Sequence, residues 1–461
     1  MNESRQASAV TADPRVFPMT FEQEAMWLDD FVNDGESRHL EAWAVRLAGR
    51  LDVGALEWAI SQIVARHEVL RSRLTEIDEK PVQIVTDPGP VRLAQVSCSA
   101  ATLTAELSRI GTEPLDLDER PLRPWLVRLP GDEFILMVQF HHAVIDDWSL
   151  DIFQRELMHF YTARLAGRAG ALEPLPMQVG EFAVAQRAAG VGEADLAYWR
   201  ERVLDRPVSC TIPPDREGPD GPAHRAGWHW FGLDPELGRA VRAVGRALRT
   251  SSFTIFAGTT AVLLWAYGKA DDVIFGTPVS SRGSAALDGM MGCFTNVHPL
   301  RLAVSPDMTF RTLAGAARAE VLGAIEHSVV PYSTIVRMSR LGSTLFGPPL
   351  CDVVIVVDDM GWEQFSLPGV SIEPVHPPAA RAKFSLHFTL SADADGGFAG
   401  LLRYDAEIFD AATAARVADR FTELLAHCIA APDEPLGGIP GSAPTLRQTD
   451  GARHDDLRNR V

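Results

Sequence analysis

Phe140-His141-His142-Ala143-Val144-Ile145-Asp146-Asp147-Trp148-Ser149 is the stretch on which the reading of this chain turns. Phe134-Ile135-Leu136-Met137-Val138-Gln139 precedes it, apolar and of strand length, and Leu150 to Tyr161 follows with apolar residues at helical spacing. The pattern is a buried strand, then a tight acidic turn carrying two histidines, then a helix. A strand end is where a rigid scaffold can present a side chain to a ligand. Successive strand residues point to opposite faces, so the two imidazoles diverge. One faces a cavity and the other packs, which predicts a single working histidine. Divergence also disfavours a metal site built from His141, His142, Asp146 and Asp147, and no metal is expected.

Working outward, Thr20 to Val32 reads as a first helix with Thr20 as its cap and Glu22 and Glu24 in the first turn. Ala42 to Leu47 alternates like a strand, and Leu56 to Val69 reads as an amphipathic helix. Val82 to Val85 and Leu122 to Leu129 are further strands. Composition loosens at Ala169 to Pro176 and again at Pro213 to Pro222, marking surface connections between lobes. Helices are then expected over Glu193 to Val203, Ser252 to Tyr267, Phe310 to Glu326 and from Asp410 to about Ala431. Strands fall at Asp272 to Val279 and Asp352 to Val357, with a hairpin over Phe384 to Leu390 and Phe398 to Tyr404.

At 461 residues the chain is long for one core, so two comparable lobes are expected. The division is 1–13 a disordered tail, 14–180 an N-terminal lobe, 181–440 a C-terminal lobe and 441–461 a flexible tail. A formal net charge of −18 disfavours nucleic acid as a partner, because phosphate binding needs a basic surface, and leaves room for one acidic partner met through a local arginine patch. Cys98, Cys210, Cys293, Cys351 and Cys428 are scattered without CxxC spacing, as buried reduced thiols of a cytoplasmic protein would be. The N-terminus lacks a signal pattern, and the longest apolar run, Phe253 to Tyr267, is too short to span a bilayer. Nearly every basic residue is arginine; Lys80, Lys269 and Lys383 are the only lysines.

The stretch His141 to Ser149 resembles the HHxxxDG(W)S signature of nonribosomal peptide synthetase condensation domains, within the chloramphenicol-acetyltransferase-like superfamily. Further segments resemble that family in family order. Met19 to Leu28 is similar to SxAQxRLWxL, Arg66-His67-Glu68-Val69-Leu70-Arg71-Ser72 to RHExLRT, and Met291 to Asn296 to IGxFVNT. Gly276 to Arg282 resembles a strand and arginine of the second lobe, and His327 to Tyr332 is similar to HQDxPFE. The resemblance implies an α/β sandwich of two chloramphenicol-acetyltransferase-like lobes, a V-shaped pseudo-dimer around a central tunnel. It implies a monomer with no bound cofactor, served by carrier proteins whose phosphopantetheine arms bring the donor thioester and an amine acceptor. The implied reaction is amide formation. An ester-forming acyltransferase and a noncatalytic platform of the X-domain kind are the alternatives. The chain carries no adenylation signature, P-loop or carrier serine motif, and reads as a free-standing enzyme or an excised domain.

By the same resemblance His142 is the catalytic histidine, and His141 and Asp146 support it. Asp146 needs a cationic partner, for which Arg282 is the first candidate and Arg71 the second. Trp148 is expected to pack at the helix start with Ser149 as the N-cap, and Gly292 and Asn296 either to line the tunnel beside Asp147, Trp148 and Ser149 or, equally, to pack structurally. Asp147 is the departure, because the family has glycine there. X domains show an HRxxxDD variant; this chain shares its second aspartate but keeps His142 where that variant has arginine.

Overall fold

The computed structural model describes residues 15–33, 37–203, 212–218, 224–268, 271–339, 350–358, 365–376 and 381–439. The tails at 1–13 and 441–461 and Cys210 lie outside the described residues. Elements of the first half are β1 (Arg15–Pro18), α1 (Phe21–Val32), β2 (Leu40–Gly49), α2 (Val53–Arg66), β3 (Ser72–Ile77), β4 (Lys80–Val85), β5 (Ala94–Ser97), α3 (Leu103–Thr112), β6 (Leu122–Arg128), β7 (Glu133–His141), α4 (Asp147–Leu165) and α5 (Val179–Ala189). The second half adds α6 (Glu193–Val203), β8 (Ala226–Leu233), α7 (Pro235–Ala247), α8 (Ser252–Tyr267), β9 (Asp272–Ser280), β10 (Thr295–Ala303), α9 (Phe310–Glu326), α10 (Tyr332–Met338), β11 (Val353–Asp358), β12 (Val370–Val375), β13 (Leu386–Ala392), β14 (Phe398–Asp405) and α11 (Ala411–Ala430).

The fold is mixed α/β with two principal sheets, ordered β12-β2-β7-β6-β5 and β10-β9-β11-β13-β14-β8. A small sheet β1-β4-β3 stands beside the first. The strand read from Phe134–Gln139 is the middle of the five. Buried on both faces, it needs no polar alternation, which explains its unbroken apolar sequence. The second lobe's core is centred on α8, whose residues from Thr254 to Ala266 are all buried; a helix apolar all round is a core helix. Among the described residues no single helix is long and apolar enough to cross a membrane.

Helix starts follow their caps. Thr20 accepts from the Gln23 amide, and Ser251 accepts from that of Thr254. The segment expected as one helix over Leu56 to Val69 divides: α2 stops at Arg66, and Glu68–Arg71 forms a 3-10 turn. The break is His67, held in an extended conformation with its buried ring on Glu156 at 3.0 Å.

The two halves are not separated at residue 180. That position lies inside α5, which packs on β1, and β12 leaves the second half to pair antiparallel with β2. An open edge of β2 would expose unpaired backbone groups, and β12 covers it. Met290, Met291, Phe294 and Leu367 of the second half likewise enter the first lobe's core.

The crossover closes tightly at Gly49, whose φ is +124° and where a Cβ would lie 2.6 Å from the Gly369 carbonyl oxygen. The contact is backbone, so nothing flexible can yield. Gly49→Ala should therefore destabilise the protein by about 1–3 kcal/mol. An unchanged urea midpoint would show that the crossover adjusts freely.

Candidate functional site

β7 ends at His141, and residues His142–Val144 turn in a short 3-10 segment before α4. That turn gives the neighbouring histidines opposite tautomers. His141 is buried; its Nδ1 accepts from the Ala143 amide at 3.1 Å, so Nε2 carries the proton. Nε2–H donates to Asp30 Oδ2 at 2.8 Å, with Ser37 Oγ at 3.2 Å. His142 is reversed. Its Nδ1 lies 2.6 Å from the Ile145 carbonyl oxygen, which can only accept, so Nδ1 carries the proton and Nε2 keeps its lone pair. The backbone amide of His142 donates to the His39 carbonyl at 2.8 Å, which fixes the ring's root.

Asp146 joins the lobes. It is the N-cap of α4, its Oδ1 accepting from the Ser149 amide at 2.8 Å. Arg282 Nη2 reaches the same oxygen at 3.1 Å, and the Phe294 amide donates to Oδ2 at 3.0 Å. The Ser149 hydroxyl lies 2.6 Å from Asp146 Oδ1, accepts from the Gly292 amide at 3.0 Å, and faces the Gly292 carbonyl at 2.8 Å. Arg282 also donates to the carbonyls of Leu287 and Met290, at 2.5 and 2.8 Å, and stacks 4.2 Å from the Phe294 ring. Both charges are nearly inaccessible, with 4% of the Arg282 and 2% of the Asp146 side chain exposed.

Several expectations are corrected here. Arg71 does not pair with Asp146; it holds Glu68 and the Thr86 carbonyl, and the charge beside Asp146 comes instead from the second lobe. Ser149 is not the helix cap, because Asp146 takes that place and leaves Ser149 in the first turn. Trp148 stands in the first turn of α4, 46% exposed, with its ring 5.9 Å from the Arg282 guanidinium carbon and its indole donating to the Asp288 carbonyl at 2.9 Å. Gly292 is buried against Val179 and Phe294, with both backbone groups on Ser149. Asn296 is buried too, bonding the Val330 carbonyl at 2.8 Å and the Tyr332 amide at 3.0 Å, so it braces a loop of the second lobe. Both positions are thus taken up by packing and by hydrogen bonds within the protein.

Asp147 is left accessible to solvent, yet protein encloses it closely enough that burial, with the Asp358 and Glu41 charges, pushes its carboxyl up to about 6. Lys383 forms an ion pair with Glu41. Burial alone would raise Glu41, but Lys383, His142 and Arg403 hold its carboxyl well below the usual range. Burial, reinforced by the Lys383 charge, pushes His142 down to about 3, so its imidazole is neutral near pH 7. Glu41, Lys383 and Arg403 carry no motif. The one available signal was Lys383, a lysine in a chain that otherwise uses arginine.

Among the described residues, the donor atoms of Asp29, Asp30 and His39 come close enough to suggest a metal site. Arg38 and His39 occupy Asp29, and His141 occupies Asp30, so these atoms hold the histidine loop. Four cysteines, Cys98, Cys293, Cys351 and Cys428, are free thiols.

A two-lobed α/β fold with a strand-end histidine pair, locked by an aspartate–arginine contact across its lobes, defines the chloramphenicol-acetyltransferase-like class. A Condensation domain family model matches residues 14–440, and the chain belongs to that family. The nonribosomal peptide synthetase CymA of Salinispora arenicola is 30% identical over 430 residues, 91% of this chain and 6% of the synthetase. The first curated relatives are all much longer; the chain spans 6% of one and 19% of another. The X-domain from teicoplanin biosynthesis superposes with a TM-score of 0.84 at 28% identity, covering 93% of this chain and 98% of that one. The X-domain in its complex with OxyB gives 0.83 at 29%, covering 95% and 98%.

Removing one member of a buried ion pair strands the other charge, so Asp146→Ala and Arg282→Met should each cost about 3–5 kcal/mol. The double variant Asp146→Ala, Arg282→Met should cost clearly less than the sum of the single changes, read from urea midpoints. Additive losses would mean that the two side chains do not act as a pair.

Proposed function

We propose that the domain is an active condensation enzyme, transferring an acyl or aminoacyl group from a carrier-protein thioester to an amine. The observation that carries this reading is the tautomer of His142. A proton donated to the Ile145 carbonyl leaves Nε2 as a fixed acceptor, which is what an attacking amine requires. The amine nitrogen forms a bond to the thioester carbon, the carbon–sulfur bond breaks, and the proton lost from nitrogen ends on the departing thiol. His142 holds the amine N–H and accepts the proton as nitrogen becomes cationic. A base pushed down to about 3 is poorly matched to a hydroxyl, which must lose its proton to become a good nucleophile. An amine brings its own lone pair. The low basicity therefore favours an amide over an ester. The phosphopantetheine arm belongs to the carrier, and no cofactor of the domain's own takes part.

A second reading is supported by the likeness to the X-domain and its OxyB complex together with Asp147. On that reading the domain docks a tailoring enzyme and performs no chemistry. Retention of His142 in the acceptor tautomer favours the enzyme. With a carrier-bound acyl thioester and its amine, His142→Ala should lower turnover by about 10²–10⁴-fold while the fold persists. Unchanged intact-mass turnover in that variant removes the assignment. A wild type inert with every donor but tightly bound to an oxygenase establishes the platform.

The pH profile separates His142 from its neighbour. The active state needs neutral His142, which is present throughout the range from pH 5 to 8 if its pKa is about 3. Asp147 titrates near 6 instead and should impose a limb there that is absent from Asp147→Asn. A limb near about 6.5 that survives in Asp147→Asn would return the titration to His142 and remove the argument from low basicity.

A further inference from the structure

The second lobe's sheet turns one face to its own core and the other to the first lobe. Phe388, Leu390, Leu402 and Tyr404 are on the core face. The alternate residues of β13, β14 and β8 point the other way. Strand register sets His387 opposite Arg403, and Arg403 opposite Trp228, making one row across three strands. Thr389 stands two residues along from His387 on the same face. Arg403 acts on both Glu41 and Asp147 of the first lobe, and Glu41 acts on His142, so this face looks onto the catalytic histidine.

Four buried polar atoms on this patch lack a hydrogen-bond partner: Trp228 Nε1, Arg403 Nε, His387 Nε2 and Thr389 Oγ1. A buried polar group left unsatisfied costs about 1–3 kcal/mol. One such atom is unremarkable. Four on neighbouring strands of a single face, none with a protein partner among the described residues, gather donors where a polar ligand could be received. The indole and guanidinium N–H groups can only donate, so the ligand must supply acceptor oxygens.

The charges around the patch decide between kinds of oxygen. The carboxyl groups of Glu41 and Asp147 both interact with Arg403, and Asp358 adds a third charge beside Asp147, against the cations Lys383 and Arg403. His387 is held neutral, its pKa driven well down by burial and by the Arg403 and Lys383 charges. A carboxylate ligand would meet at least as much negative as positive charge. An uncharged carbonyl would satisfy the donors without that repulsion.

We propose that Trp228, His387, Thr389 and Arg403 form a specificity wall that binds an uncharged carbonyl group, an amide or thioester, of a substrate in the His142 cleft. The proposal deepens the condensation reading and rests on it for the identity of the cleft. The wall discriminates against a free carboxylate, and so against an unactivated amino acid.

Binding, which needs no turnover, tests it. In the full chain, the indole N–H resonance of Trp228 is assigned as the signal missing from Trp228→Phe. Two uncharged probes are titrated: N-acetylglycinamide, which offers amide carbonyls, and S-acetyl-N-acetylcysteamine, which adds a thioester carbonyl. N-acetylglycinate, in which a carboxylate replaces the terminal amide of the first probe, is the anionic control. Either uncharged probe should shift the Trp228 resonance, N-acetylglycinate should shift it far less, and Arg403→Gln and Thr389→Val should each weaken binding about tenfold or more. A shift with the thioester probe alone assigns the wall to the donor thioester, and a shift with the amide probe assigns it to an amide carbonyl. No shift with either uncharged probe, or an equal shift with N-acetylglycinate, overturns the proposal. The other indole resonances report whether each variant is folded. Repeating the titration in His142→Ala separates the two readings. Binding without turnover in the wild type leaves the wall standing and removes the condensation reading; turnover without any Trp228 shift does the reverse.

Discussion

Asp146 is the buried anion on which the site depends. Its two oxygens accept from the Ser149 amide, the Arg282 guanidinium and the Phe294 amide, while the Ser149 hydroxyl lies against them. Two of these partners belong to the second lobe. The same carboxylate caps α4, and the 3-10 turn that sets the His142 tautomer ends immediately before it. An isolated carboxylate at this depth would be far too costly, so the lobes must meet here for the turn to exist. Lobe packing, helix start and ring orientation are thus one constraint. The charged pair places the histidine through this coupling, whatever its net contribution to stability.

Legibility in the sequence followed the range of the interaction concerned. Caps are local, so Thr20 announced its helix, and α9 begins and ends at the expected Phe310 and Glu326. The hairpin of β13 and β14 was readable because both strands alternate and lie close in the chain. The pairing of β12 with β2 was not, since periodicity says nothing about which distant edge a strand will cover. Within the site, the divergence of His141 and His142 followed from strand geometry, whereas their opposite tautomers depend on a turn that no pattern declares. Arg71 and Arg282 could not be distinguished by residue type; the structure places one beside Glu68 and the other beside Asp146. The wall opposite His142 was illegible because its residues sit at ordinary outward positions of ordinary strands.

Asp147 replaces a residue that is glycine in the family's motif, and the reason glycine is dispensable lies in the backbone. Asp147 is the first residue of α4, within the helix and outside the left-handed region that would require glycine. A carboxylate at a helix N-terminus is moreover favoured by the peptide dipoles. The substitution therefore leaves the fold unstrained and acts on the cleft alone, where it adds a carboxyl beside those of Glu41 and Asp358.

The electrostatics of the cleft then bear on what its histidine can do. Lys383 acts on both Glu41 and His142: by pairing with the first it stabilises its carboxylate, and by its charge it disfavours a proton on the second. An imidazolium at His142 would have to coexist with that ammonium in a desolvated cleft. The imidazole is consequently kept as a hydrogen-bond acceptor and gives up strength as a base. Such a group helps a nucleophile that already owns its lone pair, by orienting it and by receiving a proton only after attack has made the nitrogen acidic. It helps little where deprotonation must come first. The lysine that sets this balance sits next to the strand carrying His387, on the lobe opposite the histidine. The protonation state of His142 is therefore tuned by the lobe that does not supply the histidine.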